Sequence, residues 1–257
     1  MISDFTQASS ELRLIDSRIE SDRFGLTVAR LNISIRHDAS DQQVVEVSRN
    51  SKSQLLILRY PTTRVKLAQK LAEIKERVVY QADTLVYFVN DIDSLSAKVA
   101  VGQDWLFREA RSSDSAELSQ LSKIIFEEYP NHYRANDSLS SDAIRDGYAQ
   151  WAQVGLTDVA KLNVIIEDKA AKQIGFALIS FDGDTAEIEL NGIHPQAQGR
   201  GAYGSLLSWL SEHLATRGVK KLCISTQIQN ERVIRAWIRA GFNLEFSLNT
   251  VHLMREN

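Results

Sequence analysis

Apolar and polar positions follow two periods along the chain, and the switches between them outline the elements. Residues 28–36 (VARLNISIR) alternate apolar and polar, the period of a half-buried strand, and LLILR at 55–59 reads as a short buried one. Thr62 and Thr63 then offer an N-cap. The following VKLAQKLAEIKERVV sets Val65, Leu71, Ile74 and Val78 on one helical face with charges opposite. TLVYFVND (84–91) is rich in β-branched and aromatic residues and predicts a strand. The first hundred residues thus predict a small α/β unit. Residues 91–104 (DIDSLSAKVAVGQD) carry no firm period, so a domain boundary is expected inside them, giving units 1–104 and 105–257.

Beyond that boundary WLFREA predicts a strand, and Ser113 with Asp114 opens a helix over SAELSQLSKIIFEEY. The pattern breaks at PNHYRANDSLSSD and resumes as a helix around AIRDGYAQWAQVG. Three strands follow, LNVIIED, KQIGFALISFDG and AEIELNGI, joined by turns of Lys, Gly and Asp that read as hairpins. A glycine-rich loop leads into a leucine-rich helix. KKLCISTQI then predicts a strand, ERVIRAWIRAG a helix, and FNLEFSLNTVHLMR a final strand pair with an exposed edge.

Composition narrows the partners. A chain of 257 residues with a net charge of -3 gives no global electrostatic reason to bind nucleic acid or an anionic membrane, so a small molecule is the expected partner. The single cysteine, Cys223, excludes an intramolecular disulfide and a cysteine zinc cage, and its apolar setting predicts a buried strand residue. The start of the chain lacks a basic n-region and an apolar h-region, and no apolar run reaches the roughly 18 residues that span a bilayer. A cytoplasmic location is expected. His132 has no neighbours at ligand spacing, and no metal site is predicted.

The candidate chemistry centres on HPQAQGRGAYGSLLSWL (194–210), a glycine loop from strand to helix. Glycines let the main chain approach a ligand closely, and the N–H groups of the helix start face an anion with the dipole behind them. Arg200 is expected to add charge. These residues, with QNERVIRAWIRAGF (229–242), resemble the GNAT acetyltransferase family over about residues 105–257. The resemblance implies an α+β fold with a central mixed, mostly antiparallel sheet, here joined to a smaller N-terminal α/β domain. Acetyl-CoA is the implied cosubstrate, with Ile193, Gln198, Gly199, Arg200, Gly201 and Ala202 as its loop and no metal. Tyr203 departs from the family pattern, which has Gly or Ala there. Asn230 corresponds to the asparagine that contacts the pantetheine arm, and it is also placed to cap the helix. The family often has a tyrosine in this last helix to protonate the departing thiolate. Trp237 stands in its place, which leaves Tyr203 or a water for that role.

The order of "SDRFGLTVAR", "GYAQWA" and "STQIQN" is similar to enzymes of the family that N-acetylate 4-amino-4,6-dideoxy sugars linked to nucleotides. Arg23, Phe24 and Gly25 then serve folding or acceptor contact. On AEIELNGI, alternation sets Glu189 and Glu187 on one face as candidate general bases, with Asn191 beside them to orient the acceptor. His132, Tyr133 and Arg134 suit a diphosphate and a base. Tyr148 and Trp151 read as core, and His194 as structural. Another small amine, a peptide N-terminus, or a non-catalytic acyl-CoA sensor are the competing functions. A homodimer is the family expectation.

Overall fold

The run LLILRYP carries apolar side chains on both faces, which suits a strand covered on both sides. Leu56 and Leu58 pack under one layer of helices, Leu55 and Ile57 under another, and all four are fully buried. A computed structural model describes residues 2–96 and 105–255. Its strands are β1 (Leu14–Asp16), β2 (Val28–Asn32), β3 (Leu55–Pro61), β4 (Arg77–Asp91), β5 (Leu106–Glu109), β6 (Leu162–Glu167), β7 (Gln173–Asp182), β8 (Thr185–Ile193), β9 (Lys221–Gln227) and β10 (Asn243–Arg255). They form one sheet in the order β1-β2-β3-β10-β4-β9-β8-β7-β6-β5. Among the described residues only β2–β3 and β8–β9 pair in parallel, so the sheet is mixed and mostly antiparallel as expected.

The helices are α1 (Ser3–Thr6), α2 (Arg18–Phe24), α3 (Asp41–Asn50), α4 (Leu67–Ala72), α5 (Ile92–Ser96), α6 (Ser115–Phe126), α7 (Ser141–Thr157), α8 (Ala202–Ala215) and α9 (Glu231–Arg239). One face of the sheet packs on α6 and α7 through Leu118, Leu121, Phe126, Ile144, Tyr148 and Ala152. The other is covered by α3 and α4 at the β2–β3–β10 end and by α5, α8 and α9 over β4, β9 and β8. Cys223 is fully buried on β9, and its surroundings push the thiol pKa up by desolvation.

The sheet runs on from one side of the expected boundary to the other: β4 is hydrogen-bonded to β10 along one edge and to β9 along the other. The boundary position itself, between residues 104 and 105, borders a segment outside the described residues.

Three local expectations are corrected. The helix predicted over 65–79 is confined to Leu67–Ala72; Val65 is 80% exposed, and Arg77, Val78 and Val79 open β4 against Arg255, Met254 and Leu253. Long-range pairing with β10 overrides the local helical period there. The strand predicted over 28–36 stops at Asn32. The C-terminal strand pair is one 13-residue strand with two register shifts, and it lies between β3 and β4 in the sheet interior, so it offers no edge. The edges of the sheet are β1 and β5.

Candidate active site

β8 and β9 pair from Thr185 opposite Lys221 to Ile188 opposite Ile224 and then separate, although β8 continues to Ile193 and β9 to Gln227. The cause is local. β7 pairs Ile179 with Ile188 and Leu178 with Leu190, which leaves Glu189 as the extra residue of a β-bulge. Alternation is broken there: Ile188 packs with the α8 and α9 core and Leu190 with the α6 and α7 core. The shared face expected for Glu187, Glu189 and Asn191 therefore does not follow from period two. All three nevertheless line a cavity of about 920 Å³ that the gap between the strands opens. Past Ile188, alternate N–H and C=O groups of β8 face that gap with no strand partner.

The glycine loop forms one wall. Gly199 and Gly201 have φ of 78° and 84°, left-handed values that favour glycine, and both line the cavity with Gln198 and Ala202. Ala197 and Ala202 are buried in the core on either side and hold the loop against it. Gly201 is the N-cap of the 14-residue α8 without a side-chain cap, so that helix start presents its N–H groups. A Cβ on Gly201 would meet nothing within 4 Å, leaving open space above the loop. Gln198 ties the loop down: its Nε2 donates to the Ile193 carbonyl at 3.0 Å and its Oε1 accepts from Arg232 at 3.2 Å. Arg200 is not in the cavity wall; its guanidinium lies 5.0 Å from the Trp105 ring centroid. Arg232, on α9, is the cation beside the loop.

On the opposite side of the gap, Asn230 sits at the N-cap position of α9 but its side chain does not cap. Its Nδ2 donates to Thr226 Oγ1 at 3.1 Å, and the residue lines the cavity. Trp237 is 1% exposed, and its indole Nε1 donates to Tyr203 Oη at 2.8 Å. Burial pushes the Tyr203 pKa up, so the phenol stays protonated, and with its oxygen accepting from the indole its own hydrogen is free to be donated. Tyr129, also in the wall, hydrogen-bonds Thr226 and Gln227 through its hydroxyl.

Of the candidate bases, Glu189 accepts from Lys161 Nζ at 2.6 Å. Glu187 accepts from the Ile2 amide at 2.6 Å, and burial raises its pKa.

The cavity extends along the α6 and α7 face of the sheet to β3 and β2; three strand spacings separate β9 from β3, roughly 14 Å. His132 and Tyr133 line this arm and are both buried. His132 Nδ1 and His252 Nε2 are 2.9 Å apart, and burial lowers both pKa values, that of His252 to about 4, so the pair is neutral at pH 7. Tyr133 Oη donates to Glu20, which also takes two hydrogen bonds from Arg30 at 2.6 and 2.7 Å. Burial opposes the Glu20 charge, but Arg30 outweighs it and holds the carboxyl at about 2.

Arg134 is elsewhere: it donates to the Glu127 and Tyr129 carbonyls at the end of α6. The arginines in this arm are Arg23, Arg30 and Arg59, of which only Arg23 was a candidate. The sequence signal of Arg30 and Arg59 is a lone arginine inside an apolar strand run, VARLN and LLILRYP. Trp151, expected in the core, is 41% exposed and lines the mouth. His194 is structural as expected, accepting the Gln196 amide. No three His, Cys, Asp or Glu side chains among the described residues are grouped so as to hold a metal, and no described helix is long and apolar enough to cross a membrane.

Residues 118–242 match the acetyltransferase (GNAT) family. A stretch of 123 residues is 26% identical to the spore coat polysaccharide biosynthesis protein SpsD of Bacillus subtilis (strain 168), covering 48% of this chain and 42% of that protein. The chain thus spans less than half the length of this curated relative. A functionally unknown conserved protein from Staphylococcus epidermidis ATCC 12228 superposes with a TM-score of 0.64 at 12% identity, over 97% of this chain and 93% of that one. A GCN5-related N-acetyltransferase from Sphaerobacter thermophilus superposes with a TM-score of 0.61 at 12% identity, over 95% and 76%. Fold, glycine loop and split sheet agree with the match of residues 118–242 to the acetyltransferase (GNAT) family.

Proposed function

We propose that the protein transfers acetyl from acetyl-CoA to the amine of a nucleotide-linked 4-amino-dideoxy sugar, in the cytoplasm. The observation that carries this reading is the gap between β8 and β9, which joins the glycine loop to a polar arm large enough for a second substrate. The left-handed glycines and the open space above Gly201 fit a pyrophosphate, and acetyl-CoA bound there supplies an activated thioester carbonyl. The unpaired edge of β8 offers N–H groups to that carbonyl and strand-like pairing to an extended amide-bearing arm. Asn230 flanks the same passage.

The amine attacks the thioester directly, as the GNAT resemblance implies. Its nitrogen must first be neutral. Glu189 and Glu187 are the carboxylates in position to take the proton, and Asn191 to orient the acceptor. Tyr203 gives its proton to the leaving thiolate, and the indole of Trp237 stabilises the phenolate that remains. The donor that the family keeps on the last helix is thus moved to the helix facing it. The sugar acceptor rests on the short sequence similarities and on the role in polysaccharide synthesis of SpsD.

The test is thiol release from acetyl-CoA with a panel of amines that includes dTDP-4-amino-4,6-dideoxyhexoses, with calorimetric cofactor binding alongside. Turnover best with an amino sugar nucleotide is the expected result. Turnover with other amines alone removes the sugar, and absence of coenzyme A binding removes the whole reading.

A further inference from the structure

We infer that the arm formed by α2, β2, β3 and α7 is a nucleoside diphosphate subsite in which Arg23 and Arg59 hold the phosphates. This rests on the acetyl-transfer reading and adds to it the residues that recognise the acceptor. The three arginines of the arm are not equivalent. Arg30 is neutralised by the bidentate contact with Glu20, whereas neither Arg23 nor Arg59 forms an ion pair among the described residues. The contact of Arg59 is a 3.4 Å hydrogen bond to Thr250 Oγ1. Arg23 donates through Nη2 to Gln150 at 3.2 Å, and its Nε is buried with no partner.

The carboxylate nearest in register to Arg59 is Asp83, reached through Thr250 across β10, and burial disfavours its charged form. The polar row Asp83, Thr250, Arg59, Asn32 crosses four strands, and its last two members line the cavity. Two guanidiniums that form no ion pair among the described residues, in a partly buried arm, match the charge of a diphosphate and the fork geometry of its oxygens.

The local backbone is shaped for this arrangement. A Cβ on Gly147 would lie 2.4 Å from Arg23 Cζ, so the guanidinium rests on bare α7 backbone. One and two turns further along the same face of that helix, Trp151 and Val154 line the mouth, both substantially exposed. An indole at the mouth of the cavity that Arg23 and Arg59 also line suits a base attached to the phosphates. Arg23, Arg30 and Arg59 all lie outside residues 118–242, so the family match does not account for them.

The test is calorimetric titration of thymidine 5′-diphosphate into the full chain saturated with coenzyme A, which keeps the glycine loop occupied. One molecule is expected to bind. Arg59→Gln and Arg23→Gln are each expected to weaken it about tenfold or more, the loss of one charge-assisted contact. Gly147→Ala should weaken it too by displacing Arg23, while coenzyme A affinity in all three stays within about twofold and reports intact folding. No binding to the wild type, or binding that both arginine variants leave unchanged, would overturn the subsite. The two readings fail separately: absent coenzyme A binding removes acetyl transfer, whereas an arginine-dependent diphosphate titration stands with or without it.

Discussion

On the proposed mechanism, Tyr203 and Trp237 divide one role between two side chains joined by a hydrogen bond. A tryptophan has no proton to give a thiolate at neutral pH, but its N–H can support a neighbour that does. Tyr203→Phe is expected to lower kcat by about a hundredfold, the lower range for a general acid, with acetyl-CoA affinity nearly unchanged; steady-state kinetics with calorimetry checks both. Trp237→Phe should cost less, because the phenol remains. Since burial raises the Tyr203 pKa, its acid form is lost only above the ordinary phenol range, and the pH–rate profile should show no alkaline limb from it below about pH 10. A limb near neutrality that vanishes in Tyr203→Phe would contradict this assignment.

Glu20 makes a second prediction at this scale. Its pKa falls from an ordinary 4.5 to about 2, so the ion pair with Arg30 stabilises the fold above pH 4.5, and that contribution fades as pH falls toward 2. The linked stability is on the order of 3 kcal/mol at neutral pH. Urea unfolding at pH 7 should therefore separate wild type from Glu20→Gln clearly, and the difference should shrink at pH 3. A gap independent of pH would assign the effect of Glu20 to packing.

At the scale of elements, the strand, loop and helix from β8 to α8 form the best-determined unit. Gly201 is required for its backbone and not for room, since a side chain there would meet no neighbour. Gly201→Val should therefore leave the fold intact but shift the loop, with strain of about 1–2 kcal/mol and loss of coenzyme A binding. Unchanged affinity in a folded variant would mean that the loop does not cradle the phosphates. This unit was legible because its signals are local: glycine at positive φ, the leucine period of α8, the alternation of β8 as far as Ile188. The bulge at Glu189 was not, because it depends on how β7 and β8 align, a pairing between segments that no single window contains. The helix expected over 65–79 failed for the same reason, since Val78 and Val79 follow β10 and not their neighbours.

Across the whole molecule, the insertion of β4 between β9 and β10 ties the two halves together. Residues 105–257 expressed alone would leave β9 open on the side where β4 lies and β10 with no strand partner at all, exposing long unpaired edges. That fragment is expected to be insoluble or to lack cooperative unfolding, while the full chain melts in one transition by circular dichroism and fluorescence. An independently folded fragment would establish the boundary at residue 104.

The sequence alone determined the main strands and helices from β5 to α9, the position of the glycine loop between strand and helix, and the family resemblance, because each rests on spacing within one short segment. Only the tertiary structure decided which charged groups meet. Arg200 turned to Trp105, Arg134 to the end of α6, and Arg23, Arg30 and Arg59 came into one cavity from segments far from the loop. The direction of a long polar side chain is set by its partners across the fold, and periodicity carries no information about them.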